Sequence, residues 1–184
     1  GYRNQRVVLA KTQPSKNTQI GVRKAPAPEG RAGFIRIDSV HQGDLDGVKG
    51  LYHINAVDCV TQWQVVASVQ AISEAHLLSV IEQMLAQFPF EILGFHADNG
   101  SEYVNYKVAR LLDKLRIELT RSRPRHSNDN GLAETKNGAV VRKEFGYEHI
   151  HRRHAARFDT YCREYLNPFL NFHRPCLFAT ELAD

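Results

Sequence analysis

Hydrophobic and polar positions alternate along three segments in the first part of the chain. Residues 34–40 read Phe-Ile-Arg-Ile-Asp-Ser-Val, and residues 51–57 and 62–69 are similarly rich in β-branched and aromatic residues. This alternation predicts half-buried β-strands. Because the connections between the three segments are short, we expect them to form an antiparallel meander.

Further along the chain the apolar residues recur at helical spacing, interrupted by two more strand-like segments. Helices are predicted over 73–87, 101–115, about 130–145 and from about 154, with strands at 90–96 and 116–120. Ser73 and Ser101 are the expected N-caps of the first two helices, and Pro168 is expected to end or kink the last. The order predicts an α/β fold: a mixed five-stranded sheet, three antiparallel strands and then two alternating with helices, flanked by helices on both faces.

Composition supports one folded core. Residues 1–32 combine prolines, glycines and basic residues without a sustained apolar period, and we interpret them as a basic linker or arm. Residues 33–184 hold most of the 42% apolar residues and are expected to form the core domain. No apolar run is long enough for a membrane span. Three widely separated cysteines indicate a reducing, intracellular setting rather than a disulfide framework.

Charge is distributed unevenly. The net charge is +7 over residues 1–36, −6 over 37–120, +5 over 121–157 and −2 over 158–184. Basic segments favour a polyanionic partner, and an acidic centre indicates either a solvated surface or a cation site. Nucleic acid together with a divalent metal would account for both.

Three acidic residues stand out by their context. Asp38 lies inside the first strand, Asp98 just after the fourth, and Glu134 in the first turns of the third helix. Each also has a simple structural explanation: an exposed strand edge, an Asp-Asn-Gly turn and a first-turn glutamate. The order of the elements makes the first and fourth strands neighbours in the sheet, and a helix returning across the sheet could bring Glu134 beside them. Carboxylates that converge in this way repel one another unless a cation binds. Mg²⁺ accepts one or two carboxylates per ion, and two such ions can drive phosphodiester chemistry.

A polar, basic loop over residues 121–128 precedes the third helix. It contains Arg121, Arg123 and Arg125, close in sequence to Glu134. These arginines fit contacts with a DNA backbone, although a merely solvated loop would have the same composition.

The flanking residues make the pattern more specific. Asp98-Asn99-Gly100-Ser101-Glu102-Tyr103 is followed by Ser122-Arg123-Pro124 and then by Asp129-Asn130-Gly131-Leu132-Ala133-Glu134-Thr135-Lys136-Asn137. Together with the strand carrying Asp38, these segments resemble the catalytic core of bacterial insertion-sequence DDE transposases, a family similar to retroviral integrases. The 35 residues between Asp98 and Glu134 are typical of that D-D-E group.

The resemblance implies a ribonuclease-H-like fold and strand cleavage and transfer on DNA. It implies that Asp38, Asp98 and Glu134 are catalytic metal ligands for Mg²⁺ or Mn²⁺, with two ions when DNA is bound. Lys136 and Asn137 would face the DNA near the cut. Element ends and target DNA would be the partners of a homodimer or higher oligomer, in a cytoplasmic, nucleoid-associated setting.

The same resemblance implies an N-terminal helix-turn-helix region, of which the arm over residues 1–32 would be the trailing linker. We therefore expect a fragment that is poorly equipped for sequence-specific binding.

Two alternatives remain open at this stage. One is a ribonuclease-H-like nuclease that cuts DNA without joining it, and the other is a non-catalytic DNA-binding or assembly module derived from a mobile element. Asp58, at the end of the second strand, is interpreted as a turn or capping residue that could also support the acid cluster from outside.

Overall fold

A six-stranded mixed sheet forms the centre of the computed structural model, which describes residues 20–98 and 103–175. The strands are β1 (Val22–Arg23), β2 (Phe34–His41), β3 (Asp44–Leu45), β4 (Val48–Lys49), β5 (Tyr52–Asp58), β6 (Gln64–Val69), β7 (Gly94–Ala97) and β8 (Glu118–Arg121). The sheet order is β1-β8-β7-β2-β5-β6, and β3 and β4 form a separate small hairpin.

Strand directions follow the connections. β2, β5 and β6 are antiparallel neighbours, whereas β7 runs parallel to β2, β8 to β7, and β1 to β8. The predicted meander and the predicted contact between the first and fourth strands are confirmed. The sixth strand, β1, comes from the segment that we interpreted as an arm; its two residues pair with β8 and form one edge of the sheet.

Among residues 20–98 and 103–175, six α-helical segments surround the sheet. They are α1 (Glu74–Leu85), α2 (Tyr106–Lys114), α3 (Gly131–Lys136), α4 (Lys143–Phe145), α5 (Ala155–Tyr161) and α6 (Asn167–Phe172). A π-helical stretch, Asn137–Arg142, joins α3 to α4, and we call residues 131–145 the site helix. A second π-helical stretch, Cys162–Leu166, joins α5 to α6, and we call residues 155–172 the C-terminal helix.

The two faces of the sheet bury different side chains. One face and the helices α1 and α2 share a large apolar core that includes Ile35, Ile37, Ile54 and Leu112. The other face packs against the site helix and the C-terminal helix through a smaller apolar cluster around Val66. The strand residues that alternate onto this second face include most of the buried polar side chains of the sheet. The candidate site lies on that polar face.

Three local predictions need correction. The fourth strand covers Gly94–Ala97 rather than 90–96, since its neighbours Phe90 and Ile92 pack into the core without joining the ladder. The N-cap of α2 is Asn105, whose Oδ1 accepts from the backbone N–H groups of the next turn over 2.9–3.0 Å; Ser101 lies outside the described residues. The C-terminal helix continues through Pro168, because the wider π-helical turn before it accommodates a residue without an N–H.

In the described part of the chain, no helix has the length and apolar character that crossing a membrane requires.

Candidate active site

Asp38 lies on β2, and Asp98 directly follows β7, the parallel neighbour of β2. Arg36 on β2 is opposite His96 on β7. This is the last paired position of the two strands, and each aspartate comes two residues after it. Asp38 is half-buried and Asp98 is exposed. The fold therefore brings two residues that are 60 positions apart in sequence to the same end of two neighbouring strands.

The site helix is fastened to the sheet beside Asp38. Asn137 Nδ2 donates to Asp38 Oδ2 over 2.7 Å, and Asn130 Nδ2, just before the helix, donates to the Ile37 carbonyl over 3.2 Å. The second oxygen of Asp38 accepts from the backbone N–H of Ser39 over 2.8 Å. Asn137, which we expected to face DNA, is half-buried, and its side-chain amide contacts Asp38 and Asn55.

Glu134 lies on the same helix, three residues before Asn137, and its side chain is exposed. Residues three apart on a helix are neighbours on its surface, so Glu134 is about one turn from the residue that contacts Asp38. Across residues 20–98 and 103–175, no group of three or more His, Cys, Asp and Glu side chains is close enough to hold a metal ion. The fold thus places Asp38 on β2, Asp98 just after the neighbouring β7 and Glu134 on the helix that contacts Asp38, without gathering all three.

The three arginines of the basic segment have different environments. Arg121 is the last residue of β8 rather than part of the loop, and only 9% of it is exposed. Burial, together with the charge of nearby Arg23, lowers the pKa of Arg121 below its ordinary value. Its register partner on β7 is Ala97, so Arg121 lies close to the strand end that carries Asp98. Arg125 is exposed.

Arg123 forms a two-pronged ion pair with Asp129 at the start of the site helix. Its Nε and Nη2 donate to the two carboxylate oxygens over 3.0 and 2.8 Å, and its backbone N–H adds a third bond of 2.9 Å. These bonds hold the pKa of Asp129 well below its usual range. Because the Arg123 side chain is 44% exposed, it fixes the loop to the helix while remaining accessible to solvent. Lys136 is half-buried on the site helix.

Asp58 is a structural cap. Its Oδ1 accepts from the backbone N–H of Gly33 over 2.8 Å, and its Oδ2 accepts from the N–H and hydroxyl of Thr61 over 2.7 and 2.8 Å. The side chain is fully buried and joins the start of β2 to the turn after β5. The interpretation of Asp58 as a turn-capping residue is confirmed.

Sequence reasoning missed two polar residues beneath the site. Asn55, the β5 register partner of Asp38, is fully buried and donates to Asn137 Oδ1 over 2.9 Å. Gln64 on β6 is 3% exposed and donates to Asn55 Oδ1 over 2.8 Å. The sequence offered one signal for these two residues, an uncharged amide at a strand position that faces inward. A buried amide needs hydrogen-bond partners, so such a position indicates a polar contact.

Comparison with known proteins identifies the family. The family model described as "Integrase core domain" matches residues 33–127, which include Asp38 and Asp98 and end before Glu134. This match covers half of the chain, and the chain therefore belongs to the integrase core domain family. The predicted resemblance to integrase-like catalytic cores is confirmed.

Solved structures with similar folds show the architecture of the chain. A chain of the simian T-cell lymphotropic virus intasome, determined in complex with the PP2A regulatory subunit B56 gamma, aligns with a TM-score of 0.56 and 16% identity. That alignment covers 91% of this chain and 66% of the viral one. The catalytic core domain of BIV integrase aligns with a TM-score of 0.54 and 15% identity, over 79% of this chain and 87% of that domain. These alignments confirm the predicted ribonuclease-H-like α/β fold.

A curated bacterial relative extends beyond the present chain. The uncharacterized protein y4rM of Sinorhizobium fredii (strain NBRC 101917 / NGR234) is 30% identical over 116 residues, which are 62% of this chain and 33% of that protein. The matched region thus spans about a third of the relative's length.

Proposed function

We propose that the protein is a DDE-type polynucleotidyl transferase that hydrolyses DNA phosphodiester bonds and transfers strands during DNA integration and recombination. One observation carries the proposal. Asp38 on β2 and Asp98 just after the parallel β7 lie at the same end of neighbouring strands, and the helix that bears Glu134 contacts Asp38 through Asn137. Membership of the integrase core domain family supports the same chemistry.

The donor set suits a hard divalent cation. One Mg²⁺ accepts one or two carboxylates, which Asp38 and Asp98 can supply, and Glu134 would complete the set of ligands. These residues would hold Mg²⁺ or Mn²⁺, with two ions when DNA is bound. When bound, such ions supply activation of a water or 3′-hydroxyl nucleophile and stabilisation of the leaving oxygen.

The remaining chemistry falls to the chain's own residues. Asn137 orients the Asp38 carboxylate through its 2.7 Å hydrogen bond. Arg121, at the strand end near Asp98, is proposed to contact a DNA phosphate. Arg125 and Lys136 would bind the backbone farther out, and Arg123 would do so while holding the loop against Asp129.

DNA is the proposed partner, at both element ends and target, and joining two ends requires more than one active site. Three exposed aromatic side chains on the C-terminal helix, Tyr165, Phe169 and Phe172, support pairing of two copies through this surface. The simian viral neighbour belongs to an intasome, which is consistent with such an assembly. We also propose a cytoplasmic, nucleoid-associated location, in keeping with the bacterial relative.

The test uses the full chain with Mn²⁺, supercoiled plasmid and a labelled oligonucleotide that has a free 3′-hydroxyl. Nicked plasmid reports cleavage, and label joined covalently to plasmid reports strand transfer. Asp98→Asn removes a proposed metal ligand while keeping its shape, and we expect it to abolish both products. Asp113→Asn changes an exposed acid on α2, in the opposite helical layer, and is expected to behave like the parent.

Three outcomes would contradict parts of the proposal. If the Asp98→Asn variant still joined strands, Asp98 would not be a catalytic metal ligand. Nicking by the parent without any joined product would indicate a nuclease. Neither product, together with no binding of Mn²⁺ by the parent, would favour a non-catalytic DNA-binding or assembly module.

A further inference from the structure

Three amide side chains form a continuous series of hydrogen bonds that ends on Asp38. Gln64 Nε2 donates to Asn55 Oδ1 over 2.8 Å, and Asn55 Nδ2 donates to Asn137 Oδ1 over 2.9 Å. Asn137 Nδ2 donates in turn to Asp38 Oδ2 over 2.7 Å. The series starts on the edge strand β6, continues to β5, and reaches β2 by way of the site helix.

The direction of the series is fixed by groups that can only accept. Asn55 Nδ2 also donates to the main-chain carbonyl of Ala133 over 3.2 Å, and a carbonyl oxygen has no proton to give. The amide nitrogen of Asn55 must therefore face the helix, which turns its oxygen toward Gln64 and makes Asn137 the acceptor. Asn137 then presents its own nitrogen to Asp38. An ionised carboxylate accepts only, so both ends impose the same direction.

Burial makes this direction costly to reverse. Asn55 is fully buried and Gln64 is 3% exposed. A flipped amide at position 55 would put two oxygens face to face at Ala133 and leave buried donors and acceptors unmatched. The amide nitrogen of Asn137 is consequently held against the carboxylate of Asp38.

We propose that Asn55, supported by Gln64, is a positioning residue that acts through Asn137 to orient the Asp38 carboxylate for metal binding. This inference rests on the proposed function and deepens it. Hydrogen-bonded residues behind a metal ligand fix its orientation, and losing one typically weakens metal affinity 10–100-fold.

The first test measures Mn²⁺ binding to the full chain from the electron paramagnetic resonance signal of the free ion. Asn55→Leu removes the amide with little change in volume, and we expect the dissociation constant to rise about 10–100-fold. Asn167→Leu is the matched control. Asn167 is another buried amide, 4% exposed, bonded to the backbone N–H and carbonyl of Val66 over 2.8 and 3.0 Å. Asn167→Leu should lose about as much stability as Asn55→Leu but bind Mn²⁺ with the affinity of the parent.

The second test follows the side-chain amide signals of Asn137 by nuclear magnetic resonance, without metal. We expect these signals to move in Asn55→Leu and to stay in place in Asn167→Leu. Gln64→Met should show a smaller shift and a smaller loss of affinity than Asn55→Leu, because the Ala133 carbonyl still orients Asn55.

The inference is overturned if Asn55→Leu folds and either leaves the Asn137 signals unchanged or binds Mn²⁺ as tightly as Asn167→Leu. If Asn55→Leu does not fold, Gln64→Met decides by the same two measurements. If the parent binds Mn²⁺ no better than Asp38→Asn, the proposed function fails, and the Asn137 signals alone then decide whether Asn55 has its positioning role.

Discussion

His53 on β5 is a fully buried histidine on the polar face of the sheet. Its ring stacks on Phe145 with centroids 3.9 Å apart, and its Nδ1 is hydrogen-bonded with Ser68 Oγ over 2.8 Å. Burial, with a smaller contribution from the positive charge of Arg142, lowers the pKa of His53 from 6.5 to about 3. The folded protein therefore accommodates the neutral ring and disfavours the charged one.

This pKa makes stability depend on pH. In the unfolded chain His53 takes up a proton near pH 6.5, whereas in the folded protein it stays neutral until about pH 3. The stability that the neutral His53 ring contributes to the folded protein is therefore fully present above pH 6.5 and is lost as the pH falls toward 3. At 1.36 kcal/mol per unit, His53 lowers the free energy of unfolding by about 2 kcal/mol between pH 7 and pH 5. His96, whose pKa is lowered by burial to about 4, adds a loss of similar size.

Urea unfolding at pH 7, 6 and 5 measures this effect. The parent should lose about 4 kcal/mol over the interval, and His53→Phe, which keeps an aromatic ring against Phe145, should lose about 2 kcal/mol. His76→Gln replaces an exposed histidine on α1 and should follow the parent. His53→Phe also removes the bond to Ser68, which shifts stability at every pH, so the compared quantity is the change between pH values.

An equal loss of stability in the parent and in His53→Phe would refute the reasoning. It would mean that His53 titrates alike in the folded and unfolded chains, and that its surroundings do not exclude the charged ring.

Three further changes test the local structure. Gly33→Ala should lower the free energy of unfolding by about 1–3 kcal/mol in urea, because φ is +108° and the added Cβ would lie 2.4 Å from the Glu91 carbonyl. Gly138→Ala lies in the site helix, where no atom is within 4 Å of the new methyl group, and should raise the free energy of unfolding by about 0.5–1 kcal/mol. A lower free energy of unfolding in this variant would contradict the helical packing. Asp129→Asn should have a lower melting temperature than the parent at neutral pH. This difference should shrink as the pH falls below about 4, because protonation of Asp129 weakens its ion pair with Arg123. A difference in melting temperature that does not change with pH would exclude the ion pair as its cause.

Local pattern was enough for the frame of the fold. The alternation of Ile35 and Ile37 with Asp38 defined the first strand and the face that it buries, because side chains on a strand alternate with a period of two. The sequence order of strands and helices also predicted that the strand before Asp98 lies beside the strand of Asp38. The spacing from Asp98 to Glu134, taken with the flanking residues, was enough to indicate the family.

Long-range contacts decided the rest. Asn55 lies between Ile54 and Ala56 and has the appearance of an ordinary strand residue, and its partner Asn137 is 82 residues away. The sequence predicts that Arg121 begins a basic loop, whereas its pairing with β7 and β1 places it in the sheet. A residue's own neighbours in sequence fix its backbone preference and the face on which it lies. Which polar group it meets on that face depends on how distant segments pack, and at this site that packing determines how the Asp38 carboxylate is held.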